Sequence, residues 1–191
     1  QDVLALLHTS PSLVRDQILY HAAHQFIEGD VQHWWHEETH HGIRTKFSDD
    51  LLWLPYAATR YTEHTGDYNI WDELIPFLES APLEENEFER YDFTQISEKT
   101  GTLYEHCILA IERALRFGEH GLPLMGAGDW NDSMNRVGRN QLGESIWLGW
   151  FLYSVLQSFI PISNYFNDSG QTKKYQQIAA QLAESLNQNG W

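Results

Sequence analysis

The segment Gly126-Ala127-Gly128-Asp129-Trp130-Asn131-Asp132 sets two carboxylates three residues apart around a tryptophan and an amide. On a helical turn that spacing brings both acids to one side. A close carboxylate pair raises one pKa and keeps a proton donor at neutral pH. Spacing alone leaves a second reading open, in which Asp129 caps a helix and Asp132 is a surface acid. Trp130 shifts the balance toward a sugar, because a pyranose needs an apolar platform for its C–H face and polar groups for its hydroxyls. Two carboxylates flanking a glycosidic bond also suit a retaining or an inverting hydrolase. The glycines let backbone approach a ligand closely.

A second constellation is Arg44, Asp49 and Asp50, which follows Trp34 and Trp35. Arginine presents a planar fork of donors and aspartate accepts from paired hydroxyls, so Arg44 with Asp50 is a candidate clamp on one sugar face. The competing reading is a structural Arg–Asp ion pair, with Asp49 capping the next helix. His33, His36, His40 and His41 are metal donors by type, but their spacing matches no specific signature, and no metal is expected. Cys107 follows His106, yet neighbours on a helix point apart; Cys107 belongs to an apolar stripe and is expected in the core.

The elements that must position these residues read as helices. Ser10 and Pro11 start the first, in which Val14, Ile18, Ala22 and Phe26 recur every four residues until Gly29. A second runs from Asp49 to Thr65, closed by Gly66, and a third from Thr102 to Phe117, closed by Gly118. The stretch Ser145 to Asn167 carries no charge and is long enough to span a bilayer, but Gln157, Pro161 and the adjacent Glu144 favour a buried core helix. The fifth helix covers Lys173 to Asn187. Three connections, Glu28–Phe47, Ala81–Ser97 and Glu119–Glu144, exceed ordinary helix–helix loops, and function is expected in them. The first holds a short hairpin, Val31–His36 with Ile43–Phe47, while the charge run Glu84–Glu89 reads as solvated surface. The expected fold class is all-α, part of an α/α toroid with long functional loops and one short β-hairpin.

Composition removes several classes. With 12 Lys+Arg against 27 Asp+Glu the formal charge of the 191-residue chain is −15, which repels a phosphate backbone and excludes nucleic acid as a partner. A 42% hydrophobic content supports a sizeable core. One cysteine and no basic-then-apolar leading segment favour a reducing, cytoplasmic setting.

Four runs in order, Gly29–His36, Gly42–Pro55, Gly128–Asp132 and Gly143–Trp147, resemble glycoside hydrolase family 94, the inverting phosphorylases of cellobiose and chitobiose type. The continuations Ser133–Gly138 and Trp147–Leu152 look most like its β-1,2-glucan branch. The resemblance implies an (α/α)6 barrel, of which residues 1–191 are the central part of one catalytic domain, incomplete at both ends. It implies that Asp132 is the general acid, that Trp130 shapes the sugar site, and that Arg44 and Asp50, beside Asp49, hold the glycosyl unit. Inorganic phosphate is then the co-substrate and attacking nucleophile, held by later helices, with no cofactor. A β-linked glucan or gluco-oligosaccharide is the partner, in a complete protein that is a homodimer and cytoplasmic or a cytoplasmic domain of an inner-membrane protein. A carbohydrate-binding helical domain without turnover and an inverting hydrolase are the alternatives.

Overall fold

The structure is a computed structural model that describes residues 1–138 and 140–191. Helix α1 (Pro11–Ala22) starts with proline at its first turn and buries Val14, Ile18 and Ala22. It stops short of the expected Gly29. Gln25 and Phe26 leave the helix for single bridges to Val31 and Leu78, so Phe26 reaches the core from an extended segment. Helix α2 (Asp50–Thr65) ends on Gly66 at φ +73°, the left-handed C-cap that glycine adopts without strain.

Helix α3 (Leu103–Ala114) opens with a capping box in which Thr102 and Glu105 satisfy each other's backbone N–H groups. It ends three residues before Phe117, which bridges to Pro123. Helix α4 (Ile146–Tyr165) is capped by Ser145, whose Oγ accepts from the Leu148 N–H at 3.0 Å. Helix α5 (Ser169–Asn189) begins four residues before the expected Lys173, because Asp168 caps it.

The core forms where α2 packs on α1, α3 and α4, and α4 on α5. Leu148, Leu152, Leu156 and Phe159 of α4 are almost wholly buried. This helix is long and apolar enough to cross a membrane; here one face packs into the protein core, while Ile146, Trp147 and Trp150 are exposed.

Two small sheets correct the all-α expectation. Strands β1 (Gln32–His36) and β2 (His41–Thr45) form the expected hairpin, and β4 (Glu89–Phe93) extends it in the antiparallel order β1-β2-β4. Strands β3 (Leu74–Glu79) and β5 (Gln95–Thr102) pair separately. Their outer faces hid β4 and β5: Glu89, Tyr91 and Phe93 are exposed on β4, and Glu98 and Lys99 on β5, so no apolar-in, polar-out alternation marked them as strands. The β1–β2 register jumps between Gln32, opposite Arg44, and Trp34, opposite Ile43, which makes His33 the extra residue of a β-bulge. Gly42 serves a close approach in this hairpin, since a Cβ there would lie 2.9 Å from the Trp34 carbonyl oxygen.

Candidate active site

The acid-bearing loop is welded to the end of β2. Ser48 donates to the Gly128 carbonyl through both its backbone N–H (2.9 Å) and its hydroxyl (3.1 Å), and the Ala127 N–H donates to the Lys46 carbonyl at 3.0 Å. A Cβ on Gly126 would sit 2.2 Å from the Lys46 oxygen, and one on Gly128 2.8 Å from the Phe47 ring. The glycines therefore serve a close backbone approach to Lys46–Ser48. This corrects the expectation that they approach a ligand.

The loop divides its two aspartates. Asp129 is 5% exposed; one carboxylate oxygen accepts from the Ser145 hydroxyl at 2.6 Å and the other from the Asn131 N–H at 3.1 Å. It fixes the loop to the α4 N-terminus and is not paired with Asp132. Asp132 opens a short 3-10 turn with its side chain 60% exposed, and its Oδ2 lies 3.7 Å from His33 Nε2. Trp130 is exposed and begins a row of rings through Trp147 (6.3 Å between centroids), Phe151 (5.4 Å) and Trp53 (4.6 Å). The row ends at Asp49, whose carboxylate accepts from Trp53 Nε1 at 2.9 Å.

Arg44 and Asp50 are not brought together. Successive strand residues face opposite sides. Thr45 turns its hydroxyl to Asp50 at 3.3 Å, and Arg44 points the other way. The Arg44 side chain is 3% exposed; its fork donates to both oxygens of Asp30 at 2.6 Å and to Glu28 at 2.9 Å, and its plane lies 3.9 Å over the Phe26 ring. Arg44 thus forms its ion pair with Asp30 and Glu28, and Asp49 stands at the N-cap of α2 without a side-chain cap hydrogen bond. Asp50 accepts from His33 Nδ1 at 2.9 Å. A cavity of about 180 Å³ adjoins this pair, lined among others by His21, His24, Trp35 and Trp53.

Asp30 was not singled out in the sequence, and His33 was weighed only as a metal donor. Asp30 lies in the Gly29–His36 run without a signal for its partner, and His33 is separated from Asp50 by 17 positions. Among the described residues no group of three His, Cys, Asp or Glu side chains could hold a metal. His41 stacks on Tyr91, and His33 serves Asp50. Cys107 is wholly buried in the core, as expected, and burial pushes its thiol well up.

Asp49 carries a cost. Burial pushes its carboxyl up to about 6, against a Trp53 hydrogen bond that pulls it down. In the unfolded chain the proton leaves near 3.8, so folding is disfavoured increasingly as pH rises from there to about 6, and the penalty is constant above it. Asp49→Asn keeps an acceptor for Trp53 and is expected to stabilise the domain at pH 8 by on the order of 3 kcal/mol. Urea unfolding at about pH 4 and about pH 8 checks this: the gain should shrink at the acid end, and an equal gain at both would contradict the assignment.

Comparison with known proteins places residues 1–191 in the family described as glycosyl hydrolase 94 superfamily, catalytic domain. The chain is 43% identical over 192 residues to cyclic beta-(1,2)-glucan synthase NdvB of Rhizobium meliloti (strain 1021), covering 100% of this chain and 7% of that protein. It is 28% identical over 193 residues to solabiose phosphorylase of Paenibacillus borealis, covering 100% of this chain and 22% of the relative. To 1,2-beta-oligoglucan phosphorylase of Listeria innocua it is 28% identical over 153 residues, covering 78% of this chain and 13% of the relative. The chain therefore spans less than a quarter of the length of these relatives.

Proposed function

Since the chain belongs to the glycosyl hydrolase 94 catalytic-domain family, we propose that it is the acid-bearing part of an inverting β-glucan phosphorylase domain acting on β-1,2-linked gluco-oligosaccharides. The carrying observation is the placement of Asp132: an exposed carboxylate two residues from the Trp130 that begins an aromatic row, facing His33, which in turn holds Asp50. Asp132 protonates the leaving glycosidic oxygen as the C–O bond breaks. Inorganic phosphate attacks the anomeric carbon from the opposite face, so the product is α-glucose 1-phosphate and no protein base is used. A hydrolase needs such a base on the far side of the sugar. Asp129 is unsuited to it, being turned inward onto Ser145.

Trp130 supplies the platform under the sugar, and Asp50 and Asp49 accept from its hydroxyls. Arg44 acts at one remove, holding β2 through Asp30, with Glu28, whose side chain is 38% exposed, as its outer partner. The β-1,2 linkage is favoured by the likeness to the glucan synthase and the oligoglucan phosphorylase. In this reading the five helices are the central part of an (α/α)6 barrel, phosphate is held by barrel helices outside these residues, no cofactor is used, and the complete protein is a homodimer with this domain in the cytoplasm.

The test is proton NMR of the complete protein given a β-1,2-gluco-oligosaccharide and phosphate. An α-anomeric phosphate should accumulate. A β-phosphate, free glucose without phosphate consumption, or sugar binding with no phosphate-dependent turnover would each overturn the proposal.

A further inference from the structure

We infer that His33 is the positioning residue that links the sugar-holding Asp50 to the acid Asp132 and supplies the proton Asp132 donates. The inference rests on the phosphorylase reading above. Its basis is a side chain placed by an irregularity. A regular strand would send the residue after Gln32 to the face opposite Gln32, in register with β2, whereas the bulge takes His33 out of the ladder and re-aims it. Its Nδ1 then lies 2.9 and 3.1 Å from the two Asp50 oxygens, which fixes Nδ1 as the donor, and its Nε2 faces Asp132 Oδ2 at 3.7 Å. The Phe47 ring meets the imidazole edge-on at 4.9 Å.

The groups facing His33 are the Asp49 and Asp50 carboxylates at the start of α2, Asp132 on the loop, and His21 and His24 of the α1 region across the cavity. The Asp50 hydrogen bond, ahead of the charges of Asp50, Asp132 and Asp49, holds the His33 imidazolium above its ordinary range despite partial burial. Without sugar, the Asp50 hydrogen bond favours the protonated form of His33, and the Asp132 side chain stands in water. Bound sugar covers the exposed Asp132 and strips its water, and in a drier site the uncharged Asp132–imidazole pair is favoured over the ion pair. The 3.7 Å separation closes by rotation of the exposed Asp132, since such contacts are commonly long before substrate binds.

The proton balance closes. The Nε2–H bond breaks and the proton passes to Asp132 Oδ2, then to the leaving oxygen as the glycosidic bond breaks. Hydrogen phosphate keeps its own proton when it forms the new C–O bond. That proton leaves the product ester for solvent and balances the one His33 takes up.

The test uses His33→Asn and His33→Gln in the complete protein, with phosphorolysis followed across pH. Asparagine keeps a donor toward Asp50, glutamine keeps an amide near the Nε2 position, and neither titrates. Both are expected to lower kcat at neutral pH about 10- to 100-fold, a fraction of what a general acid contributes. KM for the oligosaccharide should change little. The basic limb of the kcat profile should move toward the carboxylate range, because Asp132 must hold its proton unaided. If either amide restores kcat with the limb in its wild-type position, the role is structural and the inference falls. Should both variants fail to fold, Asp50→Asn gives the same reading: removing the negative charge beside Nδ1 should lower the basic limb, and an unmoved limb overturns the inference. Asp132→Asn separates the two levels. Full turnover in that variant sinks the phosphorylase reading, whereas a dead Asp132→Asn beside an unaltered His33→Asn sinks only the inference.

Discussion

Asp132→Asn in the complete protein is expected to lower kcat for phosphorolysis by about 10²- to 10⁴-fold, the contribution of a positioned general acid. Oligosaccharide binding should be nearly intact. Asparagine has the same size, and the side chain is 60% exposed at the start of a short turn, so little packing depends on the charge. The loss should therefore fall on kcat and leave KM close to its wild-type value. Substrates whose leaving oxygen needs no proton, such as aryl β-glucosides with acidic phenols, should recover much of the rate. Steady-state kinetics on both substrate types decide the matter. A variant that keeps most of its turnover on the natural linkage would move the acid elsewhere, and a uniform loss on both substrates would argue against proton donation.

Arg44→Ala should act on stability before it acts on sugar. The guanidinium is almost fully buried, and its removal strands Asp30, itself 5% exposed, beside Phe26 without a counter-charge. Breaking one side of a buried pair costs about 3–5 kcal/mol, most of it from the charge left behind. Chemical unfolding should show a loss of that size, and Arg44→Lys should recover only part of it, because an ammonium cannot match both Asp30 oxygens. Replacing Arg44 and Asp30 together by apolar residues of similar volume should restore much of the stability. A stable Arg44→Ala protein with weakened glucan binding would instead make Arg44 a direct clamp on the sugar.

Helix faces were legible because a buried stripe repeats with the helical period. Val14, Ile18 and Ala22 on α1 and the apolar run of α4 needed no tertiary information. The start of α5 was less visible, since Asp168 caps a polar first turn that carries no stripe. Strands β3 and β5 escaped for a related reason: their pairing joins segments about 20 residues apart, and Ile75, Phe77 and Leu78 read alone as a short apolar run of either type. At the site, the Asp-Trp-Asn-Asp segment could be singled out because aromatic, amide and acid are adjacent. Which aspartate faces solvent could not, since that depends on Ser145 waiting 16 positions away for Asp129. The Arg44–Asp50 pairing failed on strand alternation, which gave Asp50 to Thr45 and His33. No period in the sequence announces the bulge that delivers His33.

The weld between Ser48 and Gly128 also sets an order in time. Its partners are 80 positions apart, so a chain emerging from the ribosome at about 5–20 residues per second presents Asp50 and His33 roughly 4–16 s before Gly128 exists to meet Ser48. Contacts of such long sequence separation close late in folding as well, because the intervening loop must be ordered first. The nascent protein thus holds His33 and Asp50 well before it holds Asp132. Asp132 joins them in one late step, when residues 126–128 close against residues 46–48 and carry it in with them.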